Sequence, residues 1–339
     1  MDGSFRTVVA GEAKQMLTYS IAIRTLGTAG EKFREALISV TRQTVQPERV
    51  LVCIADGYPR PDFTVGREEY VWVQKGMVAQ RIRPYDEISS DVILLLDDDV
   101  LLASDSAERM LKALEEHDAD GVGADTFQNQ LLPTGAKLRA AVVNWVFPHR
   151  SRKWAFKMHG HGSFSYNNRP NRGFYWSQSC AGNAMMWRLS AYRQLHLEDE
   201  MWLDEFPFAY GDDMVESYKL HRNGFRLGVL YDSGCVHLDG GSSSGSFRGG
   251  PQWMHTRTLA SFVGWWRTIF QPSRPASAER LIAVSSFLVK TVWLFGVMCG
   301  LSLCRLTPRY VVSYVRGLID GWRFVHTEKF KALRPYVLR

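Results

Sequence analysis

The stretch "SSDVILLLDDDVLLAS", residues 89–104, runs five apolar side chains together, Val92 to Leu96, and then sets Asp97, Asp98 and Asp99 side by side. So short an apolar run, rich in β-formers and opening from Ser and Asp, predicts a strand buried on both faces. The three aspartates then stand at its carboxyl end. Anions this close repel one another, and each titrates near pH 4 when unperturbed. A divalent cation is the simplest balance for them. A solvated strand end or a helix N-cap is the plainer alternative.

The flanks place this strand in a series. "YSIAIR" (19–24), "RVLVCIADG" (49–57), "YVWVQ" (70–74) and "DGVGAD" (120–125) read as further strands. "EKFREALISVTRQT" (31–44) puts Phe33, Ala36, Leu37 and Val40 on one helical face, and a second helix opens at Asp105 and Glu108 with Ala107, Met110, Leu111 and Leu114 inward. Alternation of this kind predicts an α/β fold with a mostly parallel sheet covered by helices. Ligands of such sheets bind beyond the carboxyl ends of the strands, the edge that holds Asp56 and the triple aspartate.

Beyond residue 126 the periodicity fades. Residues 147–176 hold six Arg or Lys and eight aromatics with no acid, a composition suited to stacking against sugar rings and to anionic groups. Nucleic-acid binding shares it, but no nucleic-acid partner is expected. His159 and His161 read as part of a polar loop, and 253–270 as an aromatic core helix. The Gly/Ser-rich loop 240–250 has the composition of a lid.

With 339 residues, 45% of them hydrophobic, the chain can bury a sizeable core. Its formal charge of +6 is concentrated: residues 305–339 carry eight Lys or Arg against Asp320 and Glu328. That pattern points to a local anionic partner. Five scattered cysteines form no C-x-x-C pair, and the first residues lack the apolar core of a signal peptide. A reducing, cytoplasmic setting is expected.

Three groups carry candidate chemistry. A D-x-D at a strand end suits Mg²⁺ or Mn²⁺, hard cations that take carboxylates plus substrate phosphates. Asp56 can accept from a base NH or a ribose hydroxyl, or simply serve the turn at Gly57. In "AYGDDMVESYKL" Asp212 and Asp213 precede a short helix, where one can act as general base or as an N-cap.

The order of "SIAIRT", "LISVTRQT", "VCIADG", "KGMVAQR", "LLLDDDV", "GNAMMWR", "GDDMVESYKLHRNGFRL" and "GCVH" resembles family 2 inverting glycosyltransferases of the GT-A fold, polysaccharide and rhamnosyl-type transferases among them. The sixteen residues from Arg81 to Asp97 and the eleven from Asp213 to Gly224 match the spacing of that family's motifs. The resemblance covers about residues 18–260 and implies a nucleotide-diphospho-sugar donor (UDP-, dTDP- or GDP-linked), a metal ion, and a glycan or lipid-linked acceptor. Carried over by position, it assigns donor binding to Thr25, Asp56, Arg81, Asp97 and Asp98, the metal to Asp99 and His237, and the catalytic base to Asp213 beside Asp212. Asn183, Trp187 and Trp176 are candidate acceptor contacts. Where the family has Pro-Thr-Tyr-Asn this chain has Arg24-Thr25-Leu26-Gly27, and its Asp-Asp-Gly-Ser is Ala55-Asp56-Gly57-Tyr58.

The expected organisation is an extension (1–17), a catalytic domain (18–270) and a helical segment (271–339). In the last, 281–304 is almost wholly apolar except for Lys290. A following amphipathic helix sets Arg309, Ser313, Arg316, Asp320, Arg323 and Thr327 against Val311, Val315, Leu318, Trp322 and Val325. Peripheral association with the inner face of the plasma membrane is expected, with a bilayer span or a packed or homo-oligomeric hairpin as alternatives. Two rival functions remain: a haloacid-dehalogenase-type phosphohydrolase using Asp97 as nucleophile, and a non-catalytic nucleotide-sugar-binding module.

Overall fold

A computed structural model describes residues 16–126, 153–238 and 250–338. Its centre is an eight-stranded sheet. In spatial order the strands are β3 (Glu68–Val73), β2 (Val50–Ala55), β1 (Tyr19–Thr25), β4 (Val92–Asp97), β10 (Ala184–Arg188), β6 (Gly121–Ala124), β11 (Leu227–Leu230) and β9 (Phe174–Ser177). All run parallel except β10 and the edge strand β9. The strands expected at 19–24, 49–57, 70–74, 92–99 and 120–125 are all present, with ends trimmed where the backbone turns.

The unbroken apolar run of β4 follows from its place between β1 and β10. Ile93 and Leu95 join the core on one face of the sheet, and Val92, Leu94 and Leu96 the core on the other. Each of these buried side chains contributes roughly 1.5–3 kcal/mol. The second core is closed by α1 (Glu31–Thr41), through Phe33, Leu37 and Val40, and by α2 (Ser106–Glu116), through Met110, Leu111 and Leu114.

The opposite face carries α3 (Leu189–Gln194), the 3₁₀ turns Leu197–Glu205 and Pro207–Ala209, and α4 (Asp212–Arg222). Against them pack α5 (Pro251–Trp265), which continues through a π-helical turn (Trp266–Phe270), α6 (Ala278–Cys304), α7 (Arg309–Val325) and α8 (Glu328–Lys331). Gly317 and Gly321 let α7 cross α5 closely: a Cβ at Gly317 would lie 2.7 Å from the His255 carbonyl oxygen. Phe287, Val325, Phe330 and Tyr336, all in the C-terminal segment, share this core with sheet residues. The Tyr336 hydroxyl donates to the Val215 carbonyl in α4 at 2.6 Å. Beneath it Glu200, fully buried, receives Lys219 Nζ and Arg267 Nη2 at 2.8 Å each.

Two small sheets complete the fold: β5 (Val100–Leu102) with β12 (Cys235–His237), and β7 (Phe156–Met158) with β8 (Phe164–Tyr166). All five cysteines are free. The lid loop expected at 240–250 lies outside the described residues except Gly250, as do residues 147–152 of the basic-aromatic segment.

Candidate active site

Asp97 ends β4, and the chain turns through Asp98 and Asp99 into β5. Antiparallel pairing of β5 with β12 sets His237 opposite Val100, and the Leu238 amide donates to the Asp99 carbonyl at 2.9 Å. This register brings His237 Nε2 to 3.1 Å from Asp99 Oδ1. One ligand atom from each of Asp97, Asp99 and His237 lies within 4.8 Å of the others, so the three can close on one ion. Two carboxylates and an imidazole form a donor set that Mg²⁺ or Mn²⁺ accepts. Among the described residues this is the one such cluster; His159 and His161 stack on each other outside it.

Strand register also brings a cation that the motif reading passed over. Arg24 on β1 pairs in register with Asp97 on β4. Its Nε and Nη2 donate to the two carboxylate oxygens, Nη2 to Oδ2 at 2.9 Å. Burial by itself would raise the Asp97 carboxyl, but Arg24 and then Arg81 hold it below its ordinary value. Thr25 Oγ1 donates to Asp98 Oδ2 at 2.5 Å and accepts from the Gly27 amide. Burial pushes Asp98 up to about 6, against the pull of that hydroxyl. Thr25 therefore holds Asp98 in place. Asp56 lies exposed just past the end of β2, on the same edge of the sheet.

Arg81 joins this group to the second acidic pair. Its side chain is buried, and Nη1 lies 3.2 Å from Asp212 Oδ2, Asp213 Oδ1 and Glu216 Oε2, while Nη2 is 3.7 Å from Asp97. The donor-side position expected for Arg81 is corrected accordingly: buried among four carboxylates, it has no open face for a nucleobase. Asp212 and Asp213 open α4, and Glu216 follows one turn later on the same side. Asp212 keeps 10% of its side chain exposed and Asp213 keeps 44%, so Asp213 alone of this group presents a carboxylate outward. Burial and the neighbouring Asp213 push Asp212 well above the carboxylate range, and burial lifts Glu216 to about 7 despite Arg81.

Gly182 lets the two halves meet. A Cβ there would lie 2.6 Å from Asp213 Cγ and 2.7 Å from Arg81 Nη1. Its neighbour Asn183 accepts from the Asp97 amide through its carbonyl at 2.9 Å and donates to Thr126 Oγ1 at 2.8 Å. Asn183 Oδ1 is buried without a hydrogen-bond partner among the described residues. Asn183 thus lies against the end of β4, beside Asp97.

The two tryptophans lie away from the site. Trp187 is fully buried in the core, its ring edge-on to Tyr192, with no face for an acceptor. Trp176 lies on β9, four strands from β4, about 19 Å across the sheet at the usual strand spacing. There it packs on His117 and Phe174 under the Arg226 guanidinium. Arg24, Glu216 and Gly182 are the site residues that sequence reasoning missed. Glu216 was legible in principle, one helical turn from Asp212 and Asp213. Arg24 needed the strand register.

No family model matches this sequence, and no curated protein does. Solved structures match it by fold. TarS 1-349 of S. aureus, in complex with UDP-GlcNAc, superposes with a TM-score of 0.53 at 14% identity, over 94% of this chain and 84% of that one. GalNAc-T7, with UDP, GalNAc and Mn²⁺, superposes at 0.52 and 13% identity, over 77% of this chain but 49% of its own. The chain therefore has the GT-A glycosyltransferase fold.

Proposed function

We propose that this protein is a metal-dependent, inverting glycosyltransferase that moves a sugar from a UDP-, dTDP- or GDP-linked donor to a hydroxyl of a glycan or lipid-linked glycan. One observation carries the reading. Arg81 bridges Asp97, of the metal-competent cluster, to Asp213, the outward-facing carboxylate of the second pair, so both halves of the reaction share one site. Structures of the same fold that hold UDP-GlcNAc, or UDP with Mn²⁺, support it.

Asp97, Asp99 and His237 would hold the cation. When bound, it supplies positive charge against the diphosphate that departs with the nucleoside. The chain itself carries six carboxyl groups here, Asp97, Asp98, Asp99, Asp212, Asp213 and Glu216, against the guanidinium groups of Arg24 and Arg81. That acid excess fits a divalent ion. Asp213 accepts the proton of the incoming hydroxyl. Behind it, burial favours the neutral forms of Asp212 and Glu216, which lie against Arg81. A base acting opposite the leaving group inverts the anomeric carbon. Asp56 stands where a nucleobase or ribose hydroxyl can reach it, and Asn183 Oδ1 is an acceptor beside Asp97.

The test is a screen of nucleotide sugars with Mn²⁺ or Mg²⁺, scored by thermal shift and by nucleoside diphosphate release. One donor is expected to stabilise the protein, with the effect lost on chelation, and Asp213→Asn should retain that stabilisation while losing transfer. Phosphate release from a phosphomonoester without any nucleotide requirement would overturn the reading. Unaltered transfer by Asp213→Asn would remove the assignment of the base.

A further inference from the structure

α6 is long and apolar enough to cross a membrane, yet one of its faces is committed to the protein. About 40 Å long at 1.5 Å per residue, it lies along the protein: Ala283, Phe287 and Met298 are buried, and Phe287 stacks on Trp265 with ring centroids 4.0 Å apart. Its single mid-helix cation points inward, Lys290 Nζ donating to the His161 carbonyl at 3.1 Å and to Ser163 Oγ at 2.8 Å. A spanning helix would carry this whole flank of the catalytic fold into hydrocarbon.

The outward side is mostly apolar, with Ser285 the one exposed polar residue between Leu281 and Val292. Leu281, Leu288, Val292 and Phe295 recur at helical spacing, Val292 with 71% of its surface exposed. At the turn beyond the helix Leu306 is 94% exposed. The neighbouring α7, tied to α6 by Tyr314 OH on the Thr291 carbonyl, exposes Val312, Val315, Ile319 and Trp322. Beside that stripe run Arg309, Arg316 and Arg323, seven residues apart and so on one helical line. Three other cations of this region have acidic partners: Lys329 on Glu205, Lys331 on Glu328, Arg334 on Glu198. Arg305, Arg309 and Arg316 form no ion pair with a described residue, and Arg323 meets Asp320 only at 3.4 Å.

We infer that the outer face of α6 and α7 is a membrane-docking surface, lying in the plane of an anionic lipid leaflet with its apolar stripes among the acyl chains and its arginines at the headgroup phosphates. An exposed apolar surface of this extent marks either a lipid or a protein contact. The arginine row decides between them. A two-fold dimer through this face would bring the same patch of both copies together, cation row included, whereas anionic headgroups complement it. The inference concerns lipid and not sugar, so its failure leaves the proposed reaction standing.

Full-length protein is mixed with sedimentable vesicles of phosphatidylcholine alone, or with phosphatidylglycerol as about a third of the lipid. The expected result is co-sedimentation with the anionic vesicles, weakened by salt. Arg309→Gln with Arg316→Gln should lower that affinity about 25-fold, at about fivefold per arginine near the surface, and Leu288→Glu with Val292→Glu should abolish it. All four side chains are exposed, so melting temperatures should match wild type. Should the glutamate variant fail to fold, the arginine variant decides alone. Absence of binding to either vesicle, or binding that the arginine variant leaves unchanged, overturns the inference. So does a dimer in analytical ultracentrifugation that Leu288→Glu dissociates.

Discussion

Gly182→Ala probes the site without removing any charge. The new methyl carbon would stand 2.6 Å from Asp213 Cγ and 2.7 Å from Arg81 Nη1. Carbon atoms rest at about 3.5–4.0 Å, so both contacts must be relieved, each by about 1 Å. Arg81 is buried and held by Asp212 and Glu216 as well, whereas Asp213 is 44% exposed and free to swing outward. The carboxylate therefore moves further, but the buried Arg81 is crowded as well, and stability should fall by about 1–3 kcal/mol. A base displaced by 1 Å from its productive place costs about 10²-fold in rate, or about 2.7 kcal/mol of barrier. Steady-state assays of nucleoside diphosphate release, run well below the melting temperature, should show kcat falling about a hundredfold, with donor KM near wild type. A variant with wild-type kcat, or one whose loss lies wholly in donor KM, would refute the placement of Asp213 as base.

Glu216 provides a pH test. Its folded-state carboxyl at about 7, against an ordinary 4.5, means the native chain binds the extra proton between those values. Stability from this group is present at low pH and lost as pH rises from about 4.5 to 7. Glu216→Gln should gain on wild type by up to about 3 kcal/mol across that window in urea titrations; parallel curves would contradict it. Glu200→Ala leaves Lys219 and Arg267 buried without their carboxylate and should cost about 3–5 kcal/mol in the same measurement. His237→Ala should raise the Mn²⁺ concentration needed for donor stabilisation at least about tenfold, since even outer partners of metal ligands cost that much. An unchanged metal titration would place His237 outside the cation site.

Most of the parallel half of the sheet was legible because β1, β2 and β4 are buried on both faces and so read as continuous apolar runs, VLVCIA and VILLL among them. The helices α1 and α2 declared themselves by spacing. β10 did not: "AMMWR" carries no mark of direction, and nothing local says that it enters antiparallel between β4 and β6. Short β5 and β12 are likewise too brief to show a period, although their pairing is what carries His237 to Asp99. The tryptophans were misread for a related reason. An aromatic on a strand can face ligand, solvent or core, and only the packing of Trp187 against Tyr192 chooses.

Residue types and their spacing determined by themselves that this chain has a buried parallel sheet ending in carboxylates, and that a second acidic pair opens a later helix. Only the tertiary structure decided which charges meet. Arg24 reaches Asp97, 73 positions away, through strand register, and Arg81 reaches Asp213, 132 positions away, through a loop packed on the opposite face. Local patterning follows from burial of each element against whatever covers it. The sharing of one guanidinium among distant carboxylates depends on how those elements are stacked, and a linear chain does not encode that in any single segment.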